Sequence, residues 1–392
     1  MSDRRKLKIA VLIKSFISTG GAERYALEVT RRLALEHDVH VFANRWSLDG
    51  NEKITFHRIP MAITKPGFLS ELLFSCLCRK YVDPSFDIIH AHVRAIHFDV
   101  TTVHAPCFRN TITRHKNKWK RMSAQLSSAL SLRESTWLWL EKKQFTFSKE
   151  RLFIAVSENL KRDIQANYSL PDESFRIAYP GVDIGIKEHL HAGSKVDSLR
   201  SKLGIEEDDL IFLFVGTEFK RKGLDALLQG LVLILPSKVR LIVAGGEDRR
   251  IERYKDLAKK LDLTEHVLFL GLVENVEKLY AISDAFILPT LSDPFGMAPV
   301  EAMLCGVPAA FSGAELCGAA ELVKNEEALI IDDPRDPQQI AGVLRKLMDA
   351  DLRAELGQRG QALAAELTWE KTTASTLSAY SEVLRRKHVL KR

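Results

Sequence analysis

Short apolar runs alternate with amphipathic stretches along most of this 392-residue chain, and that alternation limits the folds it can adopt. In the first half, residues 22–35 and 158–168 have helical periodicity, and the apolar runs predict strands at 8–13, 39–42, 88–91, 100–103, 152–155 and 175–178. A strand, a helix and another strand in succession favour parallel pairing, because parallel strands need a long crossover connection. The sequence therefore predicts parallel βαβ units.

The same pattern returns after a break at Tyr179-Pro180-Gly181. Six further predicted strands lie at 210–215, 239–244, 266–270, 285–288, 307–311 and 328–331. A chain of this length typically forms two domains of roughly 150 to 200 residues. We therefore predict two consecutive doubly wound α/β domains, at 1–180 and 181–365, followed by a C-terminal helix at 366–392. Such sheets bind ligands at the carboxyl ends of their strands, so the ligand is expected in a cleft between the domains.

Composition excludes several classes of protein. With 46% hydrophobic and 28% charged residues, the chain is neither collagen-like nor intrinsically disordered. No apolar run approaches the roughly 18 to 20 residues of a membrane-spanning helix. The apolar run at 9–13 is too short for a signal-peptide core. Five cysteines without a CxxC pair indicate a reducing compartment, so we expect a cytoplasmic protein.

The net charge of +6 arises from the segment between Arg109 and Arg151, which has eleven Lys and Arg residues against three Glu and contains three of the five tryptophans. This segment is interpreted as a solvated helix face, a nucleic-acid surface or an element that docks on an anionic membrane. Trp137 and Trp139 favour the membrane, because tryptophan prefers the headgroup region and cations are attracted to anionic lipid. No nucleic-acid-binding motif accompanies the segment, so nucleic acid is not an expected partner.

Several familiar motifs do not occur: the chain has no GxGxxG, no GxxxxGK[ST] and no HExxH. A weaker signal is the pair Gly20-Gly21, which follows the first predicted strand and precedes a helix. Glycine lets backbone N–H groups approach an anion, and a helix N-terminus attracts negative charge. Paired glycines at such a turn are more often plain turn residues.

The loop from Gly216 to Gly223 gives a stronger signal. Lys220, Arg221 and Lys222 are consecutive cations immediately before a predicted helix. The helix dipole disfavours positive charge at that position, so the arrangement is unfavourable for structure alone. It suits a site that binds a diphosphate.

Two carboxylates eight residues apart, Asp293 and Glu301, bracket a turn at Gly296. Asp293 belongs to the loop after a predicted strand, and Glu301 to the first turns of the next predicted helix. Glutamate near a helix N-terminus is electrostatically favourable without any ligand. If both carboxylates face one cleft, they accept hydrogen bonds from the vicinal hydroxyls of a sugar and a ribose.

These segments resemble the family 4 glycosyltransferases, which are retaining enzymes with the two-domain GT-B fold and nucleotide-sugar donors. The resemblance rests on Gly20-Gly21-Ala22-Glu23, on Arg221-Lys222-Gly223 and on the Asp293 to Glu301 pair running into EAMLCGVP. It covers nearly the whole chain in the right order. It implies that the first domain lies on the acceptor side, that the second binds the nucleotide sugar and that the C-terminal helix at 366–392 crosses back to the first domain. The form Gly-x-x-Phe-x-Arg-Lys-Gly, with Cys317-Gly318 downstream, is most like the lipopolysaccharide core glucosyltransferases.

The sequence departs from the family pattern at two positions. Asp293 stands where the family usually has Glu, which keeps the charge on a side chain one methylene shorter. Thr217 stands where many members have Arg directly after the glycine of the first strand of the second domain. Arg221 is the candidate to supply the positive charge that this Arg supplies in those members.

The resemblance implies a role for each candidate residue. Arg221 and Lys222 are expected to neutralise the leaving diphosphate. Glu301 is expected to bind the donor ribose, and Asp293 the sugar hydroxyls. His104, at the end of a predicted strand, is expected near the donor sugar and its phosphates. The other residues expected to bind the donor are Gly20, Gly21, Gly216, Gly296, Met297 and Ala298.

Two further patterns invite a metal site. His90 and His92 flank Ala91 at a predicted strand end, where they are candidates to line the same cleft as His104. No third ligand at suitable spacing accompanies them, so we reject a metal site there. Asp349-Ala350-Asp351 lies among helical patterns and is interpreted as a helix–helix junction.

The resemblance implies transfer of a hexose to a glycolipid or polysaccharide acceptor, in lipopolysaccharide or cell-surface glycan assembly. The donor is expected to be a UDP-sugar, with no metal ion or other cofactor. The enzyme is expected at the inner face of the cytoplasmic membrane. The alternative, favoured by Asp293 and Thr217, is a catalytically silent, membrane-associated partner protein that binds nucleotide sugar. A sugar-phosphate epimerase on the same fold is disfavoured by the Arg-Lys-Gly loop and the acidic pair.

Overall fold

Each half of the chain folds around its own parallel β-sheet. The computed structural model describes residues 5–17, 20–47, 53–110, 131–189, 199–324 and 326–390. The chain divides into two units, of which the first comprises Met1–Gly181 and Trp369–Arg392 and the second comprises Val182–Thr368. The boundaries predicted from the sequence lie after residues 180 and 365.

The first unit contains a seven-stranded parallel sheet. The strands of this unit are β1 (Lys8–Leu12), β2 (Ser15–Phe16), β3 (Asp38–Ala43), β4 (Arg45–Trp46), β5 (Ile54–Arg58), β6 (Ile88–Ala91), β7 (Val100–Val103), β8 (Leu152–Ala155) and β9 (Phe175–Ile177). Strands β2 and β4 pair with each other, and the others form the sheet in the order β5-β3-β1-β6-β7-β8-β9. Strands β6, β7 and β8 are buried along their whole length, as expected for parallel strands covered on both faces.

Helices connect these strands. They are α1 (Gly21–Glu36), α2 (Gly67–Tyr81), α3 (Leu132–Gln144) and α4 (Glu158–Tyr168). Serine side chains cap two of them: Ser131 Oγ accepts from the N–H of Glu134 at the start of α3, and Ser157 Oγ accepts from the N–H of Leu160 at the start of α4. Such caps satisfy backbone donors that have no partner within the helix.

The second unit repeats this architecture. Its strands are β10 (Leu210–Val215), β11 (Val239–Ala244), β12 (Val267–Gly271), β13 (Ala285–Leu288), β14 (Ala309–Ser312) and β15 (Leu329–Ile331). They form a parallel sheet in the order β12-β11-β10-β13-β14-β15. The helices are α5 (Leu224–Val232), α6 (Asp248–Lys260), α7 (Glu277–Ile282), α8 (Met297–Leu304), α9 (Pro337–Lys346) and α10 (Ala350–Ala365).

The last helix, α11 (Trp369–Leu390), belongs to the first unit. The side chain of Tyr380 is fully buried there, and its hydroxyl lies 2.7 Å from Nδ1 of His90. Near the start of the helix, Glu370 Oε1 accepts from Nε of Arg32 on α1 at 2.8 Å. Through these contacts, α11 packs against the first unit.

Most strands predicted from the sequence are confirmed, and those at 88–91, 100–103, 152–155, 210–215, 239–244 and 285–288 have the predicted bounds. The strand predicted at 307–311 is wrong at its start, since β14 begins at Ala309. The N–H of Val307 instead bonds to the carbonyl of Ala302 at 3.0 Å, and Pro308 has no N–H to donate. Strand β5 and helix α2 were not predicted.

The strand order reverses once in each sheet, between β1 and β6 in the first unit and between β10 and β13 in the second. Connections that leave two such neighbouring strands diverge to opposite faces of the sheet, and a crevice opens at the carboxyl ends of the strands. The loops after β10 and β13 are therefore the expected ligand-binding loops of the second unit. The loops after β1 and β6 hold that position in the first.

Asp349 caps α10, because its Oδ1 accepts from the N–H groups of Asp351 and Leu352 at 2.9 and 3.1 Å, which confirms the predicted helix–helix junction.

In the part of the chain that the structure describes, no helix has the length and apolar character needed to cross a bilayer.

Candidate functional site

The loop between β10 and α5 is shaped around two glycines. A side chain at Gly216 would place its Cβ 3.1 Å from Cγ of Lys222, so the lysine stem lies directly over this glycine. Gly223 has a φ of +81°, and a Cβ there would lie 1.8 Å from the carbonyl oxygen of Pro289. Glycine allows the close approach of other atoms at both positions because it has no Cβ, and it tolerates the positive φ at Gly223. Together the two glycines let Lys222 fold back across the end of β10.

Lys222 and Asp293 form an ion pair between the loops after β10 and β13. Nζ of Lys222 contacts Oδ2 of Asp293, and the two side chains are 14% and 11% exposed. The backbone also fixes Asp293: its N–H donates to the carbonyl of Leu316 at 2.6 Å, and its carbonyl accepts from the N–H of Gly318 at 3.2 Å. The structure thus brings together the residues predicted to bind diphosphate and sugar.

Arg221 lies at the same edge and has different partners. Its Nε is 2.5 Å from Oε2 of Glu218, and its guanidinium also donates to the carbonyl of Ser292. The Arg221 carbonyl accepts from the N–H of Leu291 at 2.8 Å, which ties this loop to the one after β13. The Arg221 side chain is 38% exposed, so solvent weakens its ion pair with Glu218 and the guanidinium is accessible to a more highly charged anion.

The first turn of α8 lies beside this cluster. Gly296 precedes the helix with a φ of +91°, and a Cβ there would lie 2.7 Å from Sγ of the buried Cys317. Met297 and Ala298 are the first two helical residues. The N–H groups at a helix N-terminus have no carbonyl partner within the helix and attract negative charge. This turn therefore adds to the positive potential at the edge of the sheet.

Glu301 lies one turn further along α8 and is held by Tyr280. The Tyr280 hydroxyl is 3.1 Å from Oε2 of Glu301 and 3.3 Å from the carbonyl of Ala298. Tyr280 is buried, whereas Glu301 is partly exposed. The carboxylate is therefore accessible and oriented by a buried hydroxyl.

Three side chains of this region were not predicted from the sequence: Glu218, Tyr280 and Arg250. Nη1 of Arg250, near the start of α6, donates to the carbonyl of Thr217 at 2.5 Å. A cation is thereby brought next to the position where many related sequences have Arg. For Arg250, the sequence offered one signal: the nearby Gly245-Gly246 pair, which marks the loop at the end of β11.

In the first unit, three histidines cluster at the carboxyl ends of β6 and β7. Nε2 of His104, which is partly exposed, lies 3.1 Å from Nδ1 of His92. His90 bonds through Nδ1 to the Tyr380 hydroxyl and through Nε2 to the Thr102 hydroxyl, at 2.7 and 2.8 Å. His90 is 0% exposed, which contradicts its interpretation as a cleft residue.

Burial keeps this histidine cluster uncharged. It lowers the pKa of His90 and of His104 to about 3. It also lowers the pKa of His92 well below its usual value, and the neighbouring imidazoles lower it further. The side chains are therefore neutral near pH 7, and His104 offers a hydrogen-bond donor or acceptor rather than a positive charge. Its contact with the donor remains a prediction.

Gly20 and Gly21 form the start of α1. Gly20 precedes the helix with a φ of +97°, and Gly21 is the first helical residue. A Cβ on Gly20 would lie 2.4 Å from Oε2 of Glu23, so this carboxylate lies against the helix N-terminus. The helix dipole favours negative charge there, and Glu23 supplies it. Binding of a further anion by the two glycines remains a prediction.

The basic segment is only partly covered by the structure, since residues 111–130 lie outside the described residues. Within the described part, Leu132 is 71% exposed and Trp139 is 45% exposed. They are seven residues apart and so lie on one face of α3. Lys142 and Lys143 are exposed in the last turn of the same helix. Helix α3 thus combines an exposed apolar face with positive charge.

The chemistry available in the second unit follows from these contacts. Two cations and a helix N-terminus attract an anion, while two carboxylates accept hydrogen bonds from hydroxyl groups. Within residues 5–17, 20–47, 53–110, 131–189, 199–324 and 326–390, no cluster of His, Cys, Asp and Glu has the arrangement of a metal site. The arrangement suits a ligand that carries both negative charge and vicinal hydroxyls.

Two proteins with similar sequences are named as glycosyltransferases. The lipopolysaccharide glucosyltransferase WaaG of Escherichia coli K12 is 23% identical over 346 residues, which are 87% of this chain and 89% of WaaG. An uncharacterized glycosyltransferase of Methanocaldococcus jannaschii is 28% identical over 232 residues, or 58% of this chain. The match spans 59% of the length of that archaeal protein.

Solved structures and family models agree with the fold. The crystal structure of WaaG superimposes with a TM-score of 0.81 at 22% identity, covering 94% of this chain and 99% of WaaG. The complex of Anabaena Alr3699/HepE with UDP-glucose gives a TM-score of 0.74 at 21% identity, covering 95% and 99%. Residues 19–185 match the model for Glycosyltransferase Family 4, and residues 195–363 match the model for Glycosyl transferases group 1. Two doubly wound units, each matched by its own family model, place this chain in the family 4 glycosyltransferases of the GT-B fold.

Proposed function

We propose that this protein transfers a hexose, with retention of configuration, from a nucleoside diphosphate sugar to a hydroxyl group of a glycolipid or polysaccharide precursor. The observation that carries the proposal is the convergence of Lys222, Asp293 and Glu301 on the loops and helix after β10 and β13. A nucleotide sugar carries negative charge on its diphosphate and vicinal hydroxyls on its two sugar rings. The cations and carboxylates of this edge match both features.

Lys222 and Arg221 stabilise the diphosphate as it leaves. When the bond between the anomeric carbon and the β-phosphate oxygen breaks, negative charge grows on that oxygen. Cations already held in position lower the barrier, because they need no reorganisation at the moment of reaction. Lys222 is well suited to this role, since it is only 14% exposed and its charge is weakly screened. We propose that the reaction needs no metal ion.

The two carboxylates bind different parts of the donor. Asp293, paired with Lys222 beside the diphosphate, accepts hydrogen bonds from the transferred sugar. Glu301, one turn into α8, accepts them from the ribose. The N–H groups of Met297 and Ala298 bind a phosphate oxygen at the helix N-terminus. Selectivity for the sugar then depends on the short side chain of Asp293.

Retention is achieved without a protein nucleophile. The acceptor oxygen forms the new bond to the anomeric carbon as the bond to the diphosphate breaks. The proton of the acceptor hydroxyl passes to the departing phosphate oxygen, so charge and atoms balance without a protein base. The protein's main task in this step is therefore to stabilise the negative charge on the diphosphate, and Lys222 and Arg221 are proposed to do so.

We favour a uridine nucleotide as the donor. The Anabaena protein, solved with UDP-glucose, has the same fold, and WaaG is named a lipopolysaccharide glucosyltransferase. By this similarity we assign the protein to lipopolysaccharide or other cell-surface glycan assembly.

We further propose that the acceptor is embedded in the inner face of the cytoplasmic membrane and that the protein docks there. The exposed residues Leu132 and Trp139 on α3 support this proposal, as does the excess of positive charge between Arg109 and Arg151. Exposed tryptophan and cations are the usual components of an interfacial membrane contact.

Thermal-shift measurements with UDP-, GDP- and ADP-sugars, followed by a donor-hydrolysis assay, test the function. A ligand that binds the native protein raises its unfolding temperature. A shift with a UDP-sugar and slow release of its sugar are expected, and both should survive EDTA. A shift without hydrolysis or transfer would favour the silent binding partner. No shift with any nucleotide sugar would contradict the site, and a strict need for Mn²⁺ would contradict metal independence.

A further inference from the structure

The hydroxyl of Tyr280 reaches from one helix to the carboxylate of another. Tyr280 lies on α7 and is 1% exposed, and its oxygen is 3.1 Å from Oε2 of Glu301 and 3.3 Å from the carbonyl of Ala298. Both acceptors belong to α8, which contains the residues proposed to bind the donor. A hydrogen bond to an ionised carboxylate is roughly twice as strong as one between neutral groups, and burial strengthens it further.

The position of this hydroxyl is closely determined. The aromatic ring packs against Phe286 on β13, with ring centres 6.2 Å apart, and the flanking helical residues Leu279 and Ile282 are buried as well. A tyrosine side chain has only two rotatable bonds before its ring ends in the hydroxyl, so packing of the ring sets the oxygen position. Tyr280 is therefore a rigid donor, whereas a free glutamate has three rotatable bonds.

We propose that Tyr280 is a positioning residue for Glu301, which it orients to read the ribose hydroxyls of the donor. This inference rests on the proposed function, in which Glu301 binds the ribose. An ionised carboxylate accepts several hydrogen bonds at its two oxygens, so the bond from Tyr280 to Oε2 sets the orientation of the carboxylate and does not prevent it from accepting others from the ribose. The consequence is selectivity: the site distinguishes a ribose with hydroxyls from one without them.

A purely structural role predicts a different result. If the hydroxyl only joined α7 to α8, its removal would weaken the binding of every nucleotide equally and lower the unfolding temperature. A positioning role affects only ligands whose ribose carries the hydroxyls that Glu301 reads. Two ligands that differ in those hydroxyls alone therefore separate the two roles.

The experiment measures dissociation constants by calorimetry for UDP and for 2′,3′-dideoxy-UDP. It is repeated with the adenosine and guanosine diphosphate pairs, so that the base does not decide the outcome. The parent is expected to bind UDP about tenfold more tightly than the dideoxy compound, because a site built for hydroxyls rejects a ligand that lacks them. Tyr280→Phe should weaken UDP by about fivefold and leave the dideoxy compound unchanged. Glu301→Ala should remove the discrimination, and adding Tyr280→Phe to it should have no further effect.

A matched control is available in the same unit. Tyr254 is 3% exposed and donates to Oδ2 of Asp225 at 2.5 Å, so Tyr254→Phe also removes a buried hydroxyl from a carboxylate. It should leave the ratio of the two dissociation constants unchanged.

Each outcome bears on a different claim. If Glu301→Ala keeps the discrimination, or if no nucleotide pair binds the parent with discrimination, the ribose assignment in the proposed function fails and the inference fails with it. If Glu301→Ala loses the discrimination while Tyr280→Phe retains the parental ratio, the positioning role alone is overturned. Equal weakening of both ligands by Tyr280→Phe would show a structural role and would also overturn it.

Discussion

Nζ of Lys222 contacts Oδ2 of Asp293, although 71 residues separate the two in the sequence. Their side chains are largely buried, so each charge depends on the other for compensation. In the proposed reaction, the diphosphate forms an ion pair with Lys222, and the sugar hydroxyls donate hydrogen bonds to the carboxylate of Asp293. The ion pair therefore links the two groups that are proposed to recognise the donor.

Lys222→Ala should reduce the rate of transfer by about 100-fold, since one preorganised electrostatic contact to a leaving group is typically worth about 3 kcal/mol. The fold should be retained, as judged by circular dichroism. Steady-state kinetics measure the effect, with Lys238→Ala as a control, because Lys238 lies in the same unit and its side chain is 64% exposed. Near-normal activity of Lys222→Ala would refute the diphosphate assignment.

Asp293→Glu introduces the residue that the family usually carries. We expect retained activity with the same or an altered choice of donor, because the charge is kept and only its reach changes. Asp293→Ala should lose donor binding, since it removes the acceptor atoms and leaves Lys222 without its partner. Competition among UDP-sugars in the transfer assay measures the preference. Parental activity of Asp293→Ala would exclude the residue from donor binding.

Gly223→Ala should destabilise the second unit by at least about 2 kcal/mol, because the new Cβ would lie 1.8 Å from the Pro289 carbonyl oxygen at a φ of +81°. Gly342 gives the opposite expectation. It lies inside α9, and a Cβ there meets no atom within 4 Å, so Gly342→Ala should stabilise by about 0.5 to 1 kcal/mol. Chemical denaturation of both variants measures the free energy of unfolding. Equal effects of the two substitutions would contradict the loop geometry.

Stability should fall as the pH falls from about 6.5 towards 3. Burial lowers the pKa of His90 to about 3 in the native state, and the usual value for a histidine is 6.5. Between these values the unfolded chain binds more protons than the native protein, so acid favours unfolding by up to about 1.4 kcal/mol per pH unit for each such group. His90→Gln should therefore reduce the slope of unfolding free energy against pH in this window. His388→Gln, at an exposed position on α11, should not. An unchanged slope in His90→Gln would contradict the buried neutral state.

Binding to vesicles should rise with phosphatidylglycerol content and fall with salt, because each basic residue near an anionic surface contributes about 1 kcal/mol and salt screens it. Two sets of substitutions should release the protein. One replaces Lys116, Lys118, Lys120 and Arg121 with Gln, and the other combines Leu132→Ser with Trp139→Ser on α3. Leu272→Ser is the control, since Leu272 is 74% exposed in the second unit.

Vesicle sedimentation at low and high salt measures the release. Binding of UDP-sugar should be unchanged in both sets, because the residues proposed to bind the diphosphate lie in the second unit and no predicted donor residue is replaced. Turnover should fall for a membrane-embedded acceptor and not for a short soluble analogue. Equal vesicle binding by parent and variants, or none by any of them, would identify the segment as a solvated surface.

The sequence by itself determined the local elements. Apolar runs located strands such as β8, β10 and β13 to the residue, because a strand buried on both faces must be continuously apolar whatever surrounds it. The loop between Gly216 and Gly223 and the pair Asp293 and Glu301 were identified as candidate site residues from short segments, since the charges that suggest a site lie close together in the chain. The start of β14 was misplaced because the bond from Val307 to Ala302 depends on how a helix ends.

Only the tertiary structure decided which side chains meet. The contact of Tyr280 with Glu301, that of Glu218 with Arg221, and the burial of His90 beneath Tyr380 depend on packing, and no local pattern predicts them. Periodicity records which face of an element is buried, whereas its neighbours are chosen by many weak contacts between distant segments. The order of strands and the partners of each charged group therefore follow from the assembled fold.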